Sequence, residues 1–254
     1  MLKKTVFYEV CSSIKKHPKN FLFIALFHLL FFGAIYAVAQ LFTSILKGIT
    51  PSLISLIILF ILFIAYILLL LFLYSFFKYC IIDFVSSFIK KWKYGFRRLG
   101  RFYLLNISIF PILIVLFLAI HLILSYAFGS FYKYIALVFF VLFAFFSYAF
   151  MNIAHSLFID ETRDIIKKAT KITFKKIKNY IPVYLSSILF IATYTIIIFI
   201  IGSIAKYAII KDSVSRYAVY FQIYSFLTFI VVLAIFSFNN IYFYFILKKR
   251  IEKR

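Results

Sequence analysis

The chain has 254 residues, 66% of them hydrophobic and only 14% charged, with a mean hydropathy of +1.07 and a net charge of +22. A soluble globular domain is about 25% charged and under half apolar, so this composition excludes that class and assigns the chain to lipid. The basic excess would suggest nucleic acid in a soluble protein, but its placement along this chain decides against that partner.

Lysines open the sequence, and Val6, Phe7, Val10 and Ile14 recur at helical spacing before Pro18, which predicts a short amphipathic helix. Six uncharged runs follow, each long enough for a helix to cross a hydrocarbon core of about 30 Å: Asn20–Leu46, Gly48–Phe77, Phe102–Tyr132, Tyr134–Ile159, Asn179–Ala205 and Tyr217–Leu247. Lipid offers the backbone no hydrogen-bond partners, so runs of this length are helices and not barrel strands. The expected fold class is all-α, a polytopic integral membrane protein with six transmembrane helices in a single membrane domain. Ala37-Val38-Ala39 resembles a cleavage site, but the apolar run continues to Leu46, so the first run reads as an uncleaved span. Thr50-Pro51 reads as the cap and first position of the second span, and Pro111 should kink the third.

Between the second and third runs, Phe84–Arg101 carries Phe84, Val85, Phe88, Ile89, Trp92, Phe96 and Leu99 on one arc and Lys90, Lys91, Lys93, Arg97, Arg98 and Arg101 on the other. Between the fourth and fifth runs, Ile165, Ile166, Ala169, Ile172 and Ile177 share an arc opposite Lys167, Lys168, Lys171, Lys175 and Lys178. Three cytoplasmic interfacial amphipathic helices are therefore expected, their apolar faces set against acyl chains or against the protein's own spans. Lys90, Lys91, Arg97, Arg98, Arg101, Lys167, Lys171, Lys175 and Lys178 are the candidate contacts for anionic lipid headgroups. The order of amphipathic helix, span, outer turn and span recurs over 1–82, 83–159 and 160–254, which reads as three internal repeats.

The N-terminal segment, the second and fourth connections and the C-terminal tail carry 24 Lys and Arg, against 5 on the other three connections. By the positive-inside rule both termini lie in the cytoplasm of a multi-pass protein of the cell membrane. Cys11 and Cys80 then sit on the reducing side, isolated, as inert thiols.

The stretch from Ser156 to Leu185, "SLFIDETRDIIKKATKITFKKIKNYIPVYL", resembles the polytopic membrane domain attached to some glycerophosphodiester phosphodiesterases and its stand-alone relatives. The resemblance implies a six-span domain without an assigned reaction. The phosphodiesterase catalytic part is a separate soluble domain, and no catalytic residue is carried over from it.

None of the six runs contains Asp, Glu, Lys or Arg, and no P-loop, dinucleotide turn or His-Glu-x-x-His occurs. No catalytic residue, metal site or cofactor is expected. Asn106-Ile107-Ser108 is a chance sequon inside a span. One polar layer stands out: His28, Asn152, His155, Asn239 and Asn240 fall at about 7 to 12 Å from the cytoplasmic ends of the first, fourth and sixth runs. Such residues either bond neighbouring helices or line a cavity open to the cytoplasm. The expected function is that of a non-enzymatic membrane scaffold or lipid-interacting module. The alternative is a transporter or channel component using the polar layer. The expected partners are anionic membrane lipids and a second copy or another membrane protein, not nucleic acid.

Overall fold

The computed structural model describes residues 5–49, 52–89, 96–160, 164–208 and 214–251. Eight α-helices are found among them: α1 (Val6–Lys16), α2 (Pro18–Lys47), α3 (Leu53–Ser86), α4 (Leu99–Phe128), α5 (Tyr132–Ile159), α6 (Ile165–Lys175), α7 (Ile177–Ala208) and α8 (Val214–Ile246). Six of these, α2, α3, α4, α5, α7 and α8, are long and apolar enough to cross a membrane. Each overlaps one of the six uncharged runs over most of its length, which is the architecture of a multi-pass membrane protein.

Local chemistry sets the ends. Thr5 caps α1 by accepting from the Tyr8 amide at 3.3 Å, and Pro18 opens α2 at the position where its missing N–H costs nothing. The cap of α3 is Ser52, joined to Ser55 in a reciprocal box, while Thr50 and Pro51 lie outside the described residues. The turn between α4 and α5 runs through Gly129 at φ 45° and ψ −117°, a conformation essentially closed to residues with a Cβ. A Cβ at Gly129 would meet no atom within 4 Å, so Gly129→Ala should lose stability through backbone strain alone, about 1–3 kcal/mol. Thermal unfolding in detergent checks this, and an unchanged midpoint would refute the strain argument.

α3 departs from the sequence reading. It does not stop at Phe77 but continues to Ser86, taking Lys78 and Asp83 into the helix, both buried. The helix expected over Phe84–Arg101 is not one helix. Phe84–Ser86 belong to α3, Ser87–Ile89 form a turn, 90–95 lie outside the described residues, and Phe96–Arg98 make a single 3-10 turn before α4. Lys90 and Lys91 thus fall outside the described residues. Arg97 and Arg101 are exposed and Arg98 is half-buried. The basic helix expected over Ile165–Lys178 divides at Lys176, so Lys178 opens α7 instead of closing α6.

The chain forms two compact units, one made of Leu26–Lys175 and the other of Met1–Ala25 with Lys176–Arg254. In the unit Leu26–Lys175, α4 packs between α3 and α5, and α6 turns back along α5. Its core is confined to one end. Tyr79, Ile82 and Phe102 cluster there with Leu99, Phe158 and Ile159, and every residue from Ala149 to Leu157 is buried. We call this end the base. Ala169 and Thr173, one helical turn apart, are the residues of α6 buried in it.

The unit containing both termini also concentrates its core. α1 packs on α8, Phe7 meeting Phe238 at 5.7 Å and Tyr242 at 5.9 Å between ring centroids, with Val6 and Val10 buried. Glu9 and Lys249 form an ion pair beside that contact, and the ring of Tyr180 on α7 stacks on Phe243.

Candidate functional site

The base of the unit Leu26–Lys175 encloses a connected set of polar side chains from three helices. His155 on α5 directs Nε2 to Asn106 Oδ1 on α4 at 2.7 Å. The Asn106 amide donates to Ser75 Oγ on α3 at 2.9 Å, and Ser75 in turn donates to the Leu71 carbonyl at 2.7 Å. A carbonyl oxygen can only accept, so this chain of donors places a hydrogen on Nε2 of His155. His155, Asn106 and Ser75 are each 0% exposed.

Beside this chain, the ammonium of Lys78 donates to Asn152 Oδ1 at 2.9 Å, and the Asn152 amide donates to the Tyr148 carbonyl at 2.8 Å. The remaining ring nitrogen of His155, Nδ1, has no hydrogen-bond partner among the described residues. Aromatic side chains close the cluster, Phe102 with its centroid 4.7 Å from the imidazole and Tyr74 at 6.0 Å. The geometry explains why these residue types sit here. Helical spacing puts Ser75 with Lys78, and Asn152 with His155, one turn apart on one face of each helix, so two polar pairs meet across the bundle. A buried polar group left unbonded costs about 1–3 kcal/mol, and these bonds leave His155 Nδ1 as the atom of the two pairs without a partner among the described residues.

Of the five residues of the expected polar layer, all are buried, and the structure brings together Asn152 and His155. His28 lies on α2 in the same unit, between Phe27 and Phe31, whose rings pack on Phe84, Tyr74 and Phe77 of α3. Asn239 and Asn240 belong to the other unit. There Ser187 on α7 donates to Asn239 Oδ1 at 2.8 Å, and Asn240 donates to the Phe236 carbonyl of its own helix.

Sequence reasoning missed Ser75, Lys78 and Asn106. Lys78 ended an uncharged run and read as its border. Asn106 read as an accidental sequon. The signal was present in the two polar pairs at a spacing of three, Ser75 with Lys78 and Asn152 with His155.

Among the described residues no group of three or more His, Cys, Asp or Glu could hold a metal ion. Neither cysteine forms a disulfide, Cys80 being buried and Cys11 exposed on α1. Desolvation by neighbouring atoms still raises the Cys11 thiol above its usual pKa, against a smaller lowering by a backbone hydrogen bond, so it stays protonated and weakly nucleophilic at neutral pH.

Fold and site together define an all-helical chain with six helices of membrane-spanning length and a buried polar cluster tying three of them. Comparisons with protein-family models, with curated proteins and with solved structures give no match.

Proposed function

We propose that this protein is a non-enzymatic, six-span integral protein of the cell membrane that acts as a scaffold or lipid-interacting module. Both termini and the connections after the second and fourth spans lie in the cytoplasm. The observation that carries the reading is the charge asymmetry of 24 against 5, joined to the exposure of Lys167, Lys171, Lys175 and Lys178. α1 and α6 act as the amphipathic elements of the cytoplasmic face, their apolar residues set on α8 and α5 and their lysines turned outward to anionic headgroups. The buried cluster supports the scaffold role, because hydrogen bonds between helices fix their positions and the cluster provides no reactive pair at a surface. Lys78 within it favours a second reading, a transporter or channel component, since a cation buried between spans is a recurrent feature of conduction paths.

Orientation is tested in a variant with Cys11 and Cys80 replaced by Ser and Ala. A cysteine in place of exposed Lys133, at the start of α5, should react with an impermeant thiol reagent added to intact cells. One in place of exposed Thr170 on α6 should react only after the membrane is opened. The reverse pattern would overturn the orientation. Flux of small ions or solutes through purified proteoliposomes, abolished by Lys78→Met, would establish the second reading over the first.

A further inference from the structure

α3, α4 and α5 are longer than a bilayer requires, and counted from Ser75, Asn106 and Asn152 their excess lies at the base. From Ser75 back to Leu53, from Asn106 on to Phe128, and from Asn152 back to Tyr132, the remaining helix spans about 30 to 33 Å in each case at about 1.5 Å per residue. That is the thickness of a hydrocarbon core, about 30 Å. Surface chemistry marks the same level. Large exposed apolar side chains run along α3 from Ile54 to Phe72, along α4 from Ile112 to Phe128, and along α5 from Tyr134 to Phe145. Past these limits, toward the base, α3, α4 and α5 bury most of their side chains and carry Ser75, Lys78, Asp83, Asn106, Asn152 and His155; Leu104 on α4 and Leu26, Leu29 and Leu30 on α2, beside Phe84 and Phe77 of α3, are large apolar residues that stay exposed there.

α6 reaches the same level from the other direction. It starts near the end of α5 and runs back along it, so that Phe174, next to its last residue, meets Phe146 at 5.1 Å between ring centroids. Phe146 adjoins Phe145, where the exposed apolar band of α5 ends. Phe174 is 64% exposed, an unusual state for a phenylalanine on so basic a helix. Lys171 and Lys175 flank it, both exposed, and α6 carries no acidic residue to neutralise them.

The geometry points to a phosphate-binding grip on anionic phospholipid formed by Lys171 and Lys175, with Phe174 inserted at the upper edge of the acyl chains and the base standing outside the hydrocarbon. The inference rests on the lipid-interacting reading above and names its chemistry: lysine ammonium groups at headgroup height bond a lipid phosphate, and an aromatic ring anchors the depth. Lys78 and its neighbours then lie in the interfacial layer instead of mid-bilayer, which removes the largest cost of burying a cation in this fold.

The test uses the full chain in nanodiscs, with Trp92, the only tryptophan, replaced by Phe and Phe174→Trp introduced as the reporter. Lipid brominated near the headgroup end of its acyl chain should quench the reporter indole about twofold more than lipid brominated near the chain terminus, as expected for a side chain at the interfacial boundary. A Phe158→Trp control in the base should show little quenching by either. Equal absence of quenching in the Phe174→Trp and Phe158→Trp variants, with the cysteine topology intact, overturns the inference and leaves the function standing.

A second measurement separates the phosphate source. Dioleoylphosphatidylglycerol should raise the unfolding midpoint of the detergent-solubilised protein, and Lys171→Gln with Lys175→Gln should remove most of that rise, whereas Lys47→Gln with Lys133→Gln, exposed lysines of the first and third connections, should keep it. Inorganic phosphate at the same concentration should give no rise. An equal rise from phosphate alone, or equal loss in both double variants, would refute a lipid grip at this position.

Discussion

Replacing Asn106 by leucine is expected to lower the unfolding midpoint of the purified protein more than any other single near-isosteric change on α4. Asn106 joins three helices, accepting from His155 Nε2 and donating to Ser75 Oγ, and has no exposed surface. Leucine fills the volume but leaves the His155 N–H buried without an acceptor and removes a donor from Ser75, so the expected loss is about 2–4 kcal/mol at about 1–3 kcal/mol per buried group left unbonded. Interhelical bonds in membrane proteins average only about 0.6 kcal/mol when both partners find substitutes, so a loss near that value would mean that the base relaxes around the change. The double variant Asn106→Leu with His155→Phe decides between these. It removes the orphaned donor together with its acceptor, and should be less destabilised than Asn106→Leu alone. A double variant that loses the sum of both single effects would show that the two residues act independently.

The second large effect is an asymmetry across the pair of Lys78 and Asn152. Asn152→Leu deletes the side-chain oxygen that lies 2.9 Å from a buried ammonium, while Lys78→Met deletes the charge itself and keeps an unbranched side chain of similar length. Removing the partner of a buried charge costs about 3–5 kcal/mol, whereas removing the charge leaves only a neutral amide oxygen without its donor, about 1–3 kcal/mol. Asn152→Leu should therefore reduce folded yield and thermal midpoint sharply, and Lys78→Met should reduce both clearly less. In the background of Lys78→Met, Asn152→Leu should become tolerable. Equal damage from the two single changes would show that Lys78 is held by other groups strongly enough to make Asn152 incidental.

The six long helices were legible in the sequence because the requirement behind them is local and severe: a backbone in lipid must satisfy itself, and only about twenty consecutive apolar residues allow that. The run Tyr134–Ile159 and the helix Tyr132–Ile159 differ by two residues at one end for this reason. The helical faces of Val6–Lys16 and Ile165–Lys175 were equally legible, since their periodicity is a property of the chain alone. What those faces rest on was not. Ala169 and Thr173 lie against α5, and Phe7 against α8, but the same spacing of apolar residues would serve a lipid surface equally well.

The polar cluster required tertiary structure altogether. A charged residue ends an apolar run on paper, so Lys78 read as a border. The helix passes through it to Ser86 because Asn152, on a different helix, supplies the acceptor. Asn106 carried no signal of its own, because which hydroxyl and which imidazole it meets depends on the register at which α3, α4 and α5 pack. Hydropathy determined which segments are long and apolar enough to enter a membrane. Only the packing of the helices decided which buried polar groups find each other, since each bond spans helices whose relative height no local pattern records.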